Sequence, residues 1–175
     1  MKKKKCKVCG VQFEPTRPLQ SACSIDCAIQ LANKQKEKKK QKETRELKAK
    51  LKSRADWLRE AQAAFNAFIR ERDKDLPCIS CGRFHQGQWH AGHYRTVGAC
   101  PELRFNELGC NKQCSVCNNH LSGNLVSYRK NLLVKIGQEK LEWLEGKHEP
   151  LKLTIKQIKE IKETYKRKLK ELKDV

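Results

Sequence analysis

Within 175 residues, 39 Lys plus Arg stand against 20 Asp plus Glu, a formal net charge of +19, while 38% of positions are hydrophobic and 6% aromatic. This composition excludes one large core and predicts small modules joined by helices. No run approaches the roughly 18 consecutive apolar residues of a membrane span, so no membrane association is expected and nucleic acid is the expected polyanionic partner.

The first module is Cys6-x2-Cys9 with Cys23-x3-Cys27, joined through the Pro-containing loop Glu14-Pro15-Thr16-Arg17-Pro18. Met1 to Lys5 lead into these cysteines and not into an apolar signal-peptide core, which predicts a cytoplasmic, reducing location and metal in preference to disulfides. Residues 1–32 therefore read as a four-cysteine zinc finger. From Asn33 to Arg54 the chain is nearly all Lys, Gln, Glu and Arg without Gly or Pro. Such composition favours helix but offers no apolar stripe, so 33–54 reads as a solvated basic helical or partly disordered linker.

Residues 55–150 read as the core. Trp57, Leu58, Ala61, Phe65, Phe68 and Ile69 line one helical face behind a cap at Ser53-x-x-Asp56, and this packing helix must end before Leu76-Pro77. Cys78-x2-Cys81 and Cys114-x2-Cys117 form a second four-thiolate set, since each short knuckle turns two sulfurs toward one point while the chain between them loops out and back. Gln88 to Tyr94 reads as one arm of a β-hairpin, and Leu125 opens a helix running toward Ile136-Gly137. Residues 151–175 form an amphipathic basic helix, capped at Thr154-x-x-Gln157 and apolar at Ile155, Ile158, Ile161, Tyr165, Leu169 and Leu172. Cys100 and Cys110 read as buried free thiols, with Cys110 also able to replace one partner in the second zinc shell. His85 is expected to face solvent. No βαβ pattern surrounds the C-x2-C pairs, which ranks thiol-disulfide redox chemistry last.

The chemistry should lie between the knuckles of the second set. His90, His93, Asn106 and Asn111 occur there, and Asn118, Asn119 and His120 follow directly. Imidazoles and side-chain amides are what a catalytic divalent ion and a water-activating base use, which suggests a zinc-stapled nuclease.

Phe65-Asn66-Ala67-Phe68-Ile69-Arg70-Glu71-Arg72-Asp73, Leu76-Pro77-Cys78-Ile79-Ser80-Cys81-Gly82, Ala91-Gly92-His93-Tyr94-Arg95-Thr96 and Leu103-Arg104-Phe105-Asn106-Glu107 resemble the NinG (Rap) recombination family of lambdoid phages. So do Lys112-Gln113-Cys114, Val116-Cys117-Asn118 and Ser122-Gly123-Asn124-Leu125-Val126. The likeness is dense from about 65 to 138 and extends to the cysteine-rich start and basic linker. It implies a recombination endonuclease acting on branched DNA such as Holliday junctions and D-loops, with an α+β fold: a small zinc-stapled ββα-metal (HNH-like) core, long flanking basic helices and an N-terminal four-cysteine finger. Carried over by position, His93 is the base that deprotonates water, and His90 and Asn118 hold Mg2+ or Mn2+. Asn106 or Asn111 takes the middle asparagine role. Apart from the resemblance, the guanidinium of Arg95 or Arg104 is expected to clamp the scissile phosphate. The chain departs from that pattern at Gly92, where an acidic residue or His usually precedes the base. It departs again at Gly109, where the middle Asn usually lies.

Two other classes fit the same residues: a noncatalytic protein that holds branched DNA or RNA, and an adaptor bridging DNA to a recombinase through the C-terminal helix. A phage or host recombinase and a second copy of the chain are the candidate protein partners.

Overall fold

A computed structural model describes residues 3–174. It is a mixture of helices and two small sheets, divided into two compact units, Met1–Lys52 and Ser53–Val175.

In the first unit, β1 (Lys4–Lys5) pairs antiparallel with β2 (Gln12–Phe13), and α1 runs unbroken from Ile25 to Leu51. Ser24 caps α1, its hydroxyl accepting from the Cys27 amide at 3.2 Å. The helix thus begins inside the cysteine module and continues through residue 33 as one element, with no buried residue along its length. Its charged composition supplies local propensity and nothing to pack.

The second unit opens with α2 (Arg54–Arg72), where Ser53 and Asp56 form the reciprocal capping box that their spacing predicts. Two strands follow, β3 (Trp89–His93) and β4 (Cys110–Cys114), paired antiparallel one to one from Trp89 opposite Cys114 to His93 opposite Cys110. A 3-10 turn at Pro101–Leu103 lies in the connection, and a wide π-type turn at Val116–His120 leads from β4 toward α3 (Leu125–Ile136). Gly137, at φ +83°, breaks the chain into α4 (Gln138–Glu145), and α5 (Ile155–Lys173) closes the unit behind the Thr154/Gln157 capping box. No described helix is long and apolar enough to cross a membrane.

Side chains alternate across a strand, so directly opposed residues share a face. One face of the hairpin carries Ala91, His93 and Cys110 and is covered by Phe65, Phe68 and Ile69 of α2 with Tyr165 of α5. The other carries Gly92, Asn111 and Gln113, and there Tyr128 of α3 donates to the Gly92 carbonyl at 2.8 Å. Tyr128, Leu132, Leu141 and Leu144 form the second core, with Cys100 and Leu103. Full burial of a side chain such as Phe65, Ile69 or Leu132 contributes roughly 1.5–3 kcal/mol. A Cβ built at Gly92 would lie 2.0 Å from the Gln113 side-chain oxygen, so a larger residue there would have to displace the buried Gln113 amide.

A buried polar knot joins the layers. Asp73, the C-cap of α2, accepts from Arg72, from the Lys112 backbone amide at 3.1 Å and from Lys135 of α3 at 3.3 Å. Asn111 adds bonds from Lys135 and to Tyr128.

Candidate active site

Each four-cysteine set brings its sulfurs together, with all four Sγ atoms within 4.8 Å of one another. Tetrahedral zinc with Zn–S near 2.3 Å requires S···S separations of roughly 3.8 Å, so both sets fit the ion. In the second set Cys78 and Cys81 lie on a tight knuckle closed by the Gly82 amide on the Cys78 carbonyl at 2.8 Å. Cys114 ends β4 and Cys117 sits in the π-type turn. Backbone amides point at the sulfurs, from Cys114 to Cys78 Sγ and from Cys117 to Cys114 Sγ, each at 3.4 Å. In the first set the amides of Cys9 and Val8 draw the Cys6 thiol down to about 6, while its neighbours Cys9 and Cys6 push Cys23 up to about 12. Amides that stabilise one thiolate while crowding resists the next are the surroundings that a dication binds best.

Three cysteine and histidine placements sharpen the reading. Cys110 is fully buried against the α2–α5 core and takes no place in the zinc shell; burial raises its thiol far above the ordinary value. Cys100 is likewise a buried thiol, in the α3–α4 core. His85 is half-buried and engaged: its Nε2 lies 3.1 Å from Cys81 Sγ and its ring meets Trp89 edge-on. A position four residues after a knuckle cysteine brings the imidazole back over the sulfur.

His93 ends β3 on the α2 side, its ring centroid 5.9 Å from that of Phe65. Its Nε2 is 2.9 Å from the carbonyl oxygen of Arg104. A carbonyl only accepts, so the neutral ring carries its proton on Nε2 and its lone pair on Nδ1. Burial pushes the His93 pKa below its ordinary value, outweighing the Arg104 carbonyl, which favours the cation.

His90 lies three residues earlier on an unbulged ladder and therefore points to the opposite face, over Gln113 and toward α3. Its Nε2 is buried with no hydrogen-bond partner among the described residues. Asn118, half-buried in the π-type turn, donates to the Asn119 side-chain oxygen at 2.7 Å. By strand parity the sheet places His90 and His93 on opposite faces of the hairpin. Among the described residues the only groups of three or more His, Cys, Asp or Glu placed for a metal are the two four-cysteine sets.

A family model described as the bacteriophage lambda NinG protein matches residues 1–174. The chain belongs to the NinG family. It is similar to protein ninG of Escherichia phage lambda, 55% identical over 127 residues that cover 73% of this chain and 62% of the relative. Protein ninG of Escherichia phage 933W is 44% identical over 190 residues, covering 98% of this chain and 94% of the relative. Protein ninG of Salmonella phage P22 is 53% identical over 127 residues, covering 73% and 63%. The stretch matched in the lambda and P22 relatives thus spans less than two thirds of their length. No solved structure matches the chain.

The remaining candidates in this NinG-family chain separate by their partners. Asn106 accepts from the amides of Leu108 and Gly109, both at 3.0 Å, and so shapes the loop that carries Arg104 past His93 and back into β4. Asn111 is locked in the interior by Arg72, Lys135, Tyr128 and the Leu108 carbonyl. Of the two, Asn106 is the one placed to order the His93 loop. Arg95 donates through Nη1 to the carbonyls of Leu144, Glu145 and Gly146 and closes the end of α4. Arg104 is the arginine beside His93, half-buried and reaching Gln62 of α2 at 3.5 Å. Gln62 and Asn66, bonded to each other at 2.8 Å, form a polar flank that the packing-helix reading of α2 does not single out; their four-residue spacing is the signal that marks it.

Proposed function

We propose that this chain hydrolyses phosphodiester bonds in branched DNA, with His93 as the base that activates water. The observation that carries the reading is the state of His93: held by the Arg104 carbonyl through Nε2 and kept neutral by burial, its Nδ1 is free to accept a proton at physiological pH. The order β3, β4, α3 around the second four-cysteine set supports an HNH-like core, and membership of the NinG family supports a role in phage recombination. Zinc in the two sets would supply fixed geometry, not a reacting water. The +19 charge favours a polyanionic substrate. The resemblance also implies a catalytic Mg2+ or Mn2+, for which His90 and Asn118 are the candidate ligands; His90 lies on the face of the hairpin opposite His93, and the step assigned here is the proton transfer to His93.

That same separation of His90 from His93 favours a second reading, in which the chain holds branched DNA without cutting it. Purified protein incubated with a four-way junction and with linear duplex, with Mg2+, Mn2+ or EDTA, decides between them. Ion-dependent nicking of the junction supports the nuclease. Tight junction binding with no nicking under any ion supports the second reading.

A further inference from the structure

Helix α2 has two working flanks. Toward α5 it presents Glu60, which pairs with Lys162 at 2.8 Å, and Phe68, whose ring meets Tyr165 at 5.3 Å. At about 100° per residue, Gln62, Asn66 and Arg70 fall on the flank turned away from α5, stacked at four-residue intervals. Phe65, between these flanks, is the residue on which the His93 ring rests. The polar flank is therefore adjacent to His93.

The connection is continuous. His93 Nε2 bonds to the Arg104 backbone oxygen at 2.9 Å, Arg104 Nη1 reaches Gln62 Oε1 at 3.5 Å, and Gln62 Nε2 donates to Asn66 Oδ1 at 2.8 Å. Every link has its acceptor consumed from the His93 side. What remains along the relay is donor capacity: Nδ2 of Asn66 at its far end and the rest of the Arg104 fork nearer His93. Arg104 and Gln62 are both half-buried, so this capacity sits at the rim of the site and not in open solvent. Burial, and after it the nearby Arg54 cation, holds the Arg104 pKa below its ordinary value, which places a second guanidinium in the same neighbourhood. A flank of amide and guanidinium donors beside a base matches an oxyanion with several acceptor oxygens, and in a DNA substrate that is a backbone phosphate.

We propose that the Gln62–Asn66 flank of α2, together with Arg104, is the substrate-positioning wall of the His93 site and binds the phosphate to be attacked. This rests on the nuclease reading for the identity of the phosphate, but its first test does not need cleavage. Binding of full-length, zinc-loaded protein to a four-way junction is measured for Arg104→Ala, Arg104→Lys, Gln62→Ala and Asn66→Ala, on DNA with ordinary phosphates and on DNA carrying uncharged methylphosphonates at the branch point.

Removing a charge-assisted hydrogen bond should weaken binding on the order of tenfold in Arg104→Ala, less in Asn66→Ala, with partial recovery in Arg104→Lys. The difference between wild type and Arg104→Ala should vanish on methylphosphonate DNA, an outcome that misfolding cannot mimic. In nicking assays the same variants should raise KM more than they lower kcat. Variants that bind within twofold of wild type, or whose deficit persists on neutral DNA, overturn the positioning wall. Absence of nicking by wild type, with the methylphosphonate effect intact, would remove the nuclease reading and leave the phosphate wall standing.

Discussion

Arg72 grips Asp73, its neighbour in the chain, in a two-point bond, Nε to Oδ1 at 2.9 Å and Nη2 to Oδ2 at 2.7 Å. Burial alone would raise the Asp73 pKa, but Arg72, the Lys112 amide and Lys135 together hold it below the usual carboxylate range. Asp73→Ala removes the anion shared by Arg72 and Lys135; their side chains are 24% and 33% exposed and keep other acceptors, so the loss should fall below the roughly 3–5 kcal/mol of a fully buried pair. Urea unfolding should register that loss. Because the folded pKa lies below the unfolded one, this contribution is complete above about pH 4 and is lost as pH falls through the folded value. Wild type should therefore lose stability in that acidic window, and Asp73→Ala should lose less of it. An equal acid sensitivity in both proteins would show that Asp73 is not the group responsible.

His93→Ala should lower junction cleavage by about 10²- to 10⁴-fold while leaving zinc content and DNA binding near wild type, since general-base catalysis typically contributes that much. The base acts when unprotonated, and burial lowers its pKa from the ordinary His value. The acid limb of the pH–rate profile should consequently fall below about pH 6.5, with full activity retained at neutrality. A limb centred above 7, or nicking by His93→Ala at the wild-type rate, would exclude this role.

Elemental analysis of freshly purified, reduced protein should give two zinc ions per chain. Replacing Cys78 and Cys114 with Ser should lose one of them and the cooperative unfolding of the Ser53–Val175 unit, because in so small a module zinc binding energy is folding energy. Replacing Cys110 should leave both zincs bound, since that thiol lies in the α2–α5 core.

Affinity for DNA should fall linearly in log K against log salt, with each phosphate contact contributing roughly −0.9 to the slope on duplex. Charge-neutral substitutions at the lysines and arginines of 34–54 should make the slope shallower. An unchanged slope in that variant would assign α1 no phosphate contacts.

Sequence reveals most where the deciding interactions are local. The boxes at Ser53/Asp56 and Thr154/Gln157 close over three residues, and both were legible. The cysteine knuckles were legible for the same reason, although what joins their two halves is long-range. Arg95 could not be assigned from its surroundings in the chain, because its partners lie 49 to 51 residues away in α4. Asp73 reads as an ordinary helix-end acid, and its burial depends on Lys112 and Lys135 arriving from β4 and α3. The facing of the two histidines is different: once β3 is read as a regular strand, a three-residue separation dictates opposite faces. Only an assumed bulge could have brought them together, and the one-to-one register contains none.

Cys23 and Cys27 straddle the start of α1, one before the Ser24 cap and one in the first turn. Starting a helix costs about 4 kcal/mol before propagation begins to return anything, and α1 has no packed face with which to offset it. An ion bound by those two sulfurs would fix the first turn directly. The first zinc is then less a prop for its own small finger than a starter for twenty-seven residues of cationic rod. Metal supply would then set how readily that row of charges becomes ordered.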